Sequence, residues 1–319
     1  MKKTFLWLFM TISCLFFVAC GDEPEVTKKD PQENNQEQNN NQKPDGNGET
    51  STDTPEDVKI ENGTIMAAFS VSSTDKVYFS TGNLQYQAST ATWKFADNQY
   101  DVVGKDNESI SSSFAGWIDL FGWGTSGWNG GATAYQPYST DYNYEQYYVG
   151  GSSDNNLTGS YANADWGVYN AISNGGGNAG VWRTLTQEEW YYLIKDRKNA
   201  SDLYSVAKVN GVAGLIVLPD KWETPSSLQF SSRAYSWTTN VYDADEWKTF
   251  EKSGAVFLPA AGYRSGSSVS DVGAYGAYWS TTGSSSNAYS VWFNSANVSP
   301  KYGLSRDNGA AVRLVTNVQ

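Results

Sequence analysis

The chain has 319 residues and a formal net charge of -12, with 13 Trp, 21 Tyr and 13 Phe, two Cys and no His. The acidic balance argues against nucleic acid and against anionic lipid surfaces as partners. Without histidine, Ser-His-Asp and Cys-His nucleophile activation are closed off, and the length suits one large domain or two small ones.

Lys2 and Lys3 precede an almost unbroken apolar run over residues 5–18, which is signal-peptide architecture and short for a membrane span. Phe17-Val18-Ala19-Cys20 resembles a bacterial lipobox, which implies a leader over residues 1–20 and acylation of Cys20. The alternative is an ordinary secretory signal cleaved elsewhere; choosing Cys14 instead would halve the apolar run. Asp22, Glu23 and Glu25 resemble the signal that exports some Gram-negative lipoproteins to the outer face of the outer membrane. The expected address is therefore the outer membrane, facing the cell exterior, with a lipid anchor at Cys20 as the membrane contact. An acylated Cys20 leaves the mature chain no free thiol and no internal disulfide, so its stability must come from burial.

Residues 21–58 are acidic, amide-rich and nearly devoid of apolar side chains. Such a segment buries too little apolar surface to offset its ordering entropy and reads as a disordered tether. Residues 59–319 have globular composition. The many aromatics with few Leu or Ile suit a strand- and loop-rich fold.

Within 64–105, residues 67–71 and 76–80 read as strands joined by the polar turn 72–75, and the alternating segments 84–87 and 93–95 continue that sheet. Residues 116–180 are Gly-, Ser-, Asn-, Tyr- and Trp-rich without periodicity, the signature of long functional or covering loops. Thr186 and Glu189 have capping-box spacing, and Trp190, Leu193 and Ile194 give the following helix its apolar face. Residues 214–218, 255–258 and 288–293 read as further strands, and residues 311–315 as the strand that closes the domain.

Four segments over residues 180–319 carry a family resemblance. Trp182-Arg183-Thr184-Leu185-Thr186-Gln187-Glu188-Glu189-Trp190 resembles the helix start of formylglycine-generating-enzyme-like domains, with Thr184-Leu185 in place of Leu-Pro. Phe257-Leu258-Pro259-Ala260-Ala261-Gly262-Tyr263-Arg264 and Tyr278-Trp279-Ser280-Thr281-Thr282 resemble consecutive blocks of the bacterial major paralogous domain. Arg306-Asp307-Asn308-Gly309 with Val312-Arg313-Leu314-Val315 resembles its closing block. The resemblance implies an α+β, C-type-lectin-like fold: small twisted antiparallel sheets, one or two helices and long irregular loops. Trp190 and Trp279 are expected in the core. Arg264 and Arg313 are expected to pair with Glu188, Glu189 or Asp271, anion binding being the alternative.

The enzymes of the resembled families need a cysteine pair or a histidine cluster, and this chain has no cysteine after Cys20 and no histidine. Nothing in the spacing of its carboxylates selects a glycosidase pair. The calcium-lectin motifs have only weak counterparts in Gln136-Pro137-Tyr138 and Trp292-Phe293-Asn294, and Asp141, Glu145 and Asp154 read as solvated loop charge. The expectation is a protein without cofactor, metal or catalysis.

Residues 265–302 have paratope-like composition, in which Tyr and Trp supply rigid contact area and Ser, Gly and Asn adaptable hydrogen bonds. In lectin-like surface proteins this position resembles the ligand face, which some diversify genetically. The candidate ligand residues are Ser267, Asp271, Tyr275, Tyr289, Trp292, Asn294, Asn297 and Tyr302, facing a glycan or a protein. The alternatives are a structural surface or fimbria-associated subunit and, less favoured, a surface-glycan hydrolase.

Overall fold

The computed structural model describes residues 57–318, so the leader, Cys20 and the expected tether as far as residue 56 lie outside the described residues. β1 (Ile60–Glu61) turns through Asn62-Gly63 into β2 (Thr64–Ser70), whose Ile65, Ala67 and Phe69 point inward on the period of two. The polar turn at 72–75 forms as expected: Ser72 Oγ accepts the N–H of Thr74 and Asp75 and leads the chain into β3 (Lys76–Ser80). β4 (Leu84–Gln87) and β5 (Thr92–Phe95) are strands as read, but they pair only with each other. They do not continue the first sheet because irregular segments hold β4: Leu84 N–H donates to Val312 O, and Tyr86 exchanges two hydrogen bonds with Ile118.

The 116–180 stretch is mostly irregular and holds three 3-10 turns, at Tyr144–Tyr147, Val149–Gly151 and Gly159–Ala164, and one α-helical turn, α1 (Trp166–Tyr169). The helix expected after it begins as α2 (Gln187–Tyr191), with the Thr186–Glu189 capping box formed, and runs on as a π-helical turn over Tyr192–Asp196. β6 (Tyr204–Val209) and β7 (Val212–Val217) form a hairpin on Asn210-Gly211, both residues left-handed, as a two-residue hairpin turn requires. β8 (Val241–Tyr242), α3 (Ala244–Lys252) and β9 (Val256–Pro259) follow, giving the sheet order β8-β6-β7-β9. α3 carries a second capping box, Asp243 with Glu246, and lays Trp247 and Phe250 against Phe257 and Tyr242.

β10 (Tyr263–Ser265) and β11 (Ser268–Ser270) make a short hairpin. β12 (Gly276–Ser284), β13 (Asn287–Phe293) and β14 (Val298–Ser305) make an antiparallel meander. β15 (Asn308–Gly309) flanks β10, and β16 (Val315–Asn317) joins the free edge of β3. The closing strand therefore lies at 315–317 rather than at the expected 311–315. Residues 311–314 run irregularly through the interior, and the carbonyls of Val312 and Leu314 accept from Leu84 and Ser80.

With 31% strand, 18% helix and several small antiparallel sheets, the fold class is α+β. The meander divides the interior. Tyr278, Val291 and Phe293 enter a cluster with Phe69, Phe79 and Trp190, whereas Ala277, Trp279 and Ala288 enter another with Trp123, Trp166 and Trp182. Trp190 and Trp279 are thus core residues, as expected. Both clusters mix residues from early and late in the chain, whereas a third, with Leu203, Ile216, Trp247, Phe250 and Phe257, is built from residues 203–257. No helix among the described residues is long and apolar enough to cross a membrane.

Candidate functional site: an aromatic row

Strand alternation builds the site. In β10 Arg264 is buried while Tyr263 and Ser265 are half-exposed, and the register pairs Tyr263 with Ser270 and Ser265 with Ser268. Residues paired across a ladder share a face, so Tyr263, Ser265, Ser268 and Ser270 look outward together. Tyr263 lies near-parallel to Tyr275 with centroids 6.5 Å apart, Tyr275 meets the edge of Trp292 at 5.4 Å, and Trp292 stacks on Tyr302 at 5.3 Å. These four rings form one continuous row from β10 to β14. Each spacing lies in the favourable range for offset or edge-to-face aromatic pairs, so the row orders itself. Tyr302, the outermost ring, is 41% exposed.

Three predicted residues, Tyr275, Trp292 and Tyr302, are therefore brought together. Tyr289 is not. It stands three residues before Trp292 on β13, hence on the other face of the meander, where Lys301 Nζ sits 5.5 Å from its ring centre. Lys301 there also borders an open cleft of about 730 Å³ together with Glu188, Tyr191 and Asp196. Ser267 is exposed at the tip of the β10–β11 hairpin. Asp271 is exposed in the following turn, with a left-handed backbone, and its carbonyl accepts from Ala274 and Tyr275. Asn294 is committed to its own turn, its Oδ1 accepting the N–H of Ala296 and Asn297, which leaves the Asn297 side chain exposed.

Arg264 supports the row from beneath. Its guanidinium donates to the carbonyls of Gly266, Ser139 (3.1 Å) and Leu120 (3.4 Å), tying the hairpin to the long loop. Arg313, fully buried, donates to Gln99 Oε1 (2.6 Å), Asn83 Oδ1 (3.3 Å) and the Phe257 carbonyl (3.4 Å). The expected ion pairs with Glu188, Glu189 and Asp271 do not form. Glu189 is instead gripped at 2.7 and 2.8 Å by Arg183, which stands beside the helix start. Burial pushes the pKa of Arg264 down and that of Arg313 down to about 10.

Asp119 anchors the same side of the molecule. Its carboxylate accepts from Val103 N–H (3.0 Å) and Asn107 Nδ2 (2.8 Å), while Asn107 Oδ1 accepts the N–H of Asp119 and Leu120. Desolvation lifts its pKa to about 6 against these hydrogen bonds. The helical turn Gly104–Glu108, which carries Asn107, reaches the hairpin through Glu108 Oε1, the acceptor for Val269 N–H. Among the described residues, no group of three or more His, Cys, Asp or Glu side chains is placed to hold a metal ion, so Asp141, Glu145 and Asp154 do not converge.

Composition did not single out Tyr263, which sits inside a family-like block, although alternation around an inward Arg264 identifies its face. Nor did it find a groove of about 570 Å³ lined by Glu61, Met66, Tyr78, Val181 and Thr316. No local pattern announces that groove, because it joins three distant parts of the chain.

Residues 234–315 match a family described as a domain of unknown function, DUF8237, and this span includes all four rings of the row. No curated protein and no solved structure matches the chain.

Proposed function

We propose that the chain is a lipid-anchored outer-membrane protein, acylated at Cys20 and facing the cell exterior, that binds a glycan or protein ligand without catalysis. The reading gives residues 59–319 a C-type-lectin-like fold, in keeping with the four family-like segments, the capped helix, the small antiparallel meander and the long irregular loops. One observation carries the binding role: four aromatic side chains from β10, β13, β14 and the turn before β12 form a continuous row at the surface. A row that merely filled the core would not run out to a ring as open as Tyr302.

Alanine at Tyr275, Trp292 or Tyr302 is expected to abolish ligand attachment with little change in the thermal midpoint, whereas Tyr289→Ala leaves attachment intact. If the three row variants unfold instead, the row is core and the reading fails. Concentration-dependent polymerisation of the purified chain would favour a structural subunit. The anchor is tested separately: Cys20→Ser should lose palmitate incorporation and release the protein from the membrane fraction.

A further inference from the structure

The five strands that carry or flank the row, β10 to β14, contain two charged residues, Arg264 and Lys301. Neither serves the face: Arg264 is buried beneath it and Lys301 is turned to the opposite side over Tyr289. The nearest charge in the connecting turns is the exposed Asp271. The four rings carry no charge, and the serines beside them are bordered by carboxylates: the exposed Asp271, and Glu108, whose Oε1 accepts the Val269 N–H between Ser268 and Ser270. Rings and hydroxyls suit a ligand with apolar C–H faces and many hydroxyl groups. An acidic polymer would meet no cation there and would be repelled by a net charge of -12. A protein partner would ordinarily be oriented by charge complementarity or an arginine anchor, which this face lacks.

We infer that the row Tyr263–Tyr275–Trp292–Tyr302 binds an uncharged glycan chain, its sugar rings lying along the aromatic side chains and its hydroxyls reaching Ser265, Ser268 and Ser270. This rests on the reading of the row as the ligand face. The ring planes alternate between near-parallel pairs (19° and 24°) and one steep step (69°), so contact is spread along the row rather than focused on one ring. Recognition therefore extends over several sugar units. Affinity should rise with chain length, a free monosaccharide should compete poorly, and binding should be nearly indifferent to salt between about 50 and 500 mM.

The test uses the full chain purified in detergent and captured on immobilised polysaccharides: a glucan, a mannan and a galactan, all uncharged, with polygalacturonate as the acidic counterpart. The inference expects salt-insensitive retention on at least one neutral polymer, weakened about ten-fold or more by Trp292→Ala and by Tyr302→Ser. It expects Tyr289→Ala to bind as the parent does. Tyr302, being exposed, supplies the decisive variant should Trp292→Ala fail to fold. Retention on none of the neutral polymers, or on polygalacturonate alone, overturns the inference. If Tyr302→Ser then still abolishes attachment to whole cells, the row remains a ligand face for another class of partner; if no attachment depends on the row, both readings fall together.

Discussion

Asp119→Asn separates the cost of a buried charge from the value of its hydrogen bonds. Asp119 is fully buried, and its carboxylate titrates near pH 6 instead of the usual 3.8 because desolvation outweighs the donors from Val103 and Asn107. The folded state thus binds this proton more tightly than the unfolded chain between those two values. The associated stability is fully present below the lower value and is lost as pH rises through the higher one. Integrating over that window, Asp119 should make the protein about 2 kcal/mol more stable at about pH 4.5 than at about pH 7. Asparagine removes this dependence and also removes one acceptor, because Val103 N–H and Asn107 Nδ2 need an oxygen each. The orphaned donor costs roughly 1–3 kcal/mol, which nearly cancels the relief of about 3 kcal/mol from the buried charge at neutral pH. Urea unfolding of parent and variant at both pH values gives the answer. Near pH 7 the two should differ little, and near pH 4.5 the parent should gain about 2 kcal/mol on the variant. Asp165, another buried carboxylate raised to about 6 by desolvation, is common to both proteins and drops out of the comparison. If the difference between the two proteins does not move with pH, Asp119 is not the buried titrating group described here.

Two further perturbations bear on the platform. Gly262 is left-handed at φ +74°, and a Cβ there would lie 2.1 Å from the Ser270 carbonyl oxygen, backbone that cannot swing away. Gly262→Ala should therefore cost more than about 2 kcal/mol in urea unfolding, and an unchanged midpoint would show that β10 and β11 part without penalty. Arg264→Lys keeps the charge but loses the fork that reaches three carbonyls. Limited proteolysis should cut the loop at residues 136–142 faster in this variant, and equal cutting rates would mean that Arg264 does not hold that loop.

Parts of this architecture were open to reading where the local chemistry has a single outcome. Thr186 and Glu189 announce their helix because each satisfies the other's backbone donor. By the same token, Asp243 and Glu246, followed by Trp247 and Phe250 at helical spacing, announce α3, and the Asn-Gly pairs at 62–63 and 210–211 announce two hairpins. Residues 311–315 misled because a buried apolar run looks like a strand whether or not a ladder receives it. The site was half visible. Composition located the stretch that carries Tyr275, Trp292 and Tyr302, but not the face of each ring. The face depends on strand parity, and the register of β14 against β13 shifts between Ser290 and Trp292, beyond what the bare sequence reveals.

Three of the four arginines in the family-like blocks, Arg264, Arg306 and Arg313, are buried and serve the interior, not the surface. Long irregular stretches leave carbonyls without ladder partners, and each buried one needs a donor. A guanidinium carries five N–H groups in a rigid fork and can serve several carbonyls at once. Arg264 does this for Gly266, Ser139 and Leu120. Arg306 does it for Asn287 and Ser153 while lying 4.3 Å from the Trp123 ring centre and 4.9 Å from that of Tyr148. Arg313 joins Asn83, Gln99 and Phe257. Their burial carries a penalty, seen in pKa values pushed down to about 10 for Arg306 and Arg313. That penalty is offset by fastening loops for which the described chain has no disulfide. On β10 the consequence is direct. An arginine drawn inward to hold the loops turns its neighbours Tyr263 and Ser265 outward, so the residue that staples the platform also sets the chemistry of the surface above it.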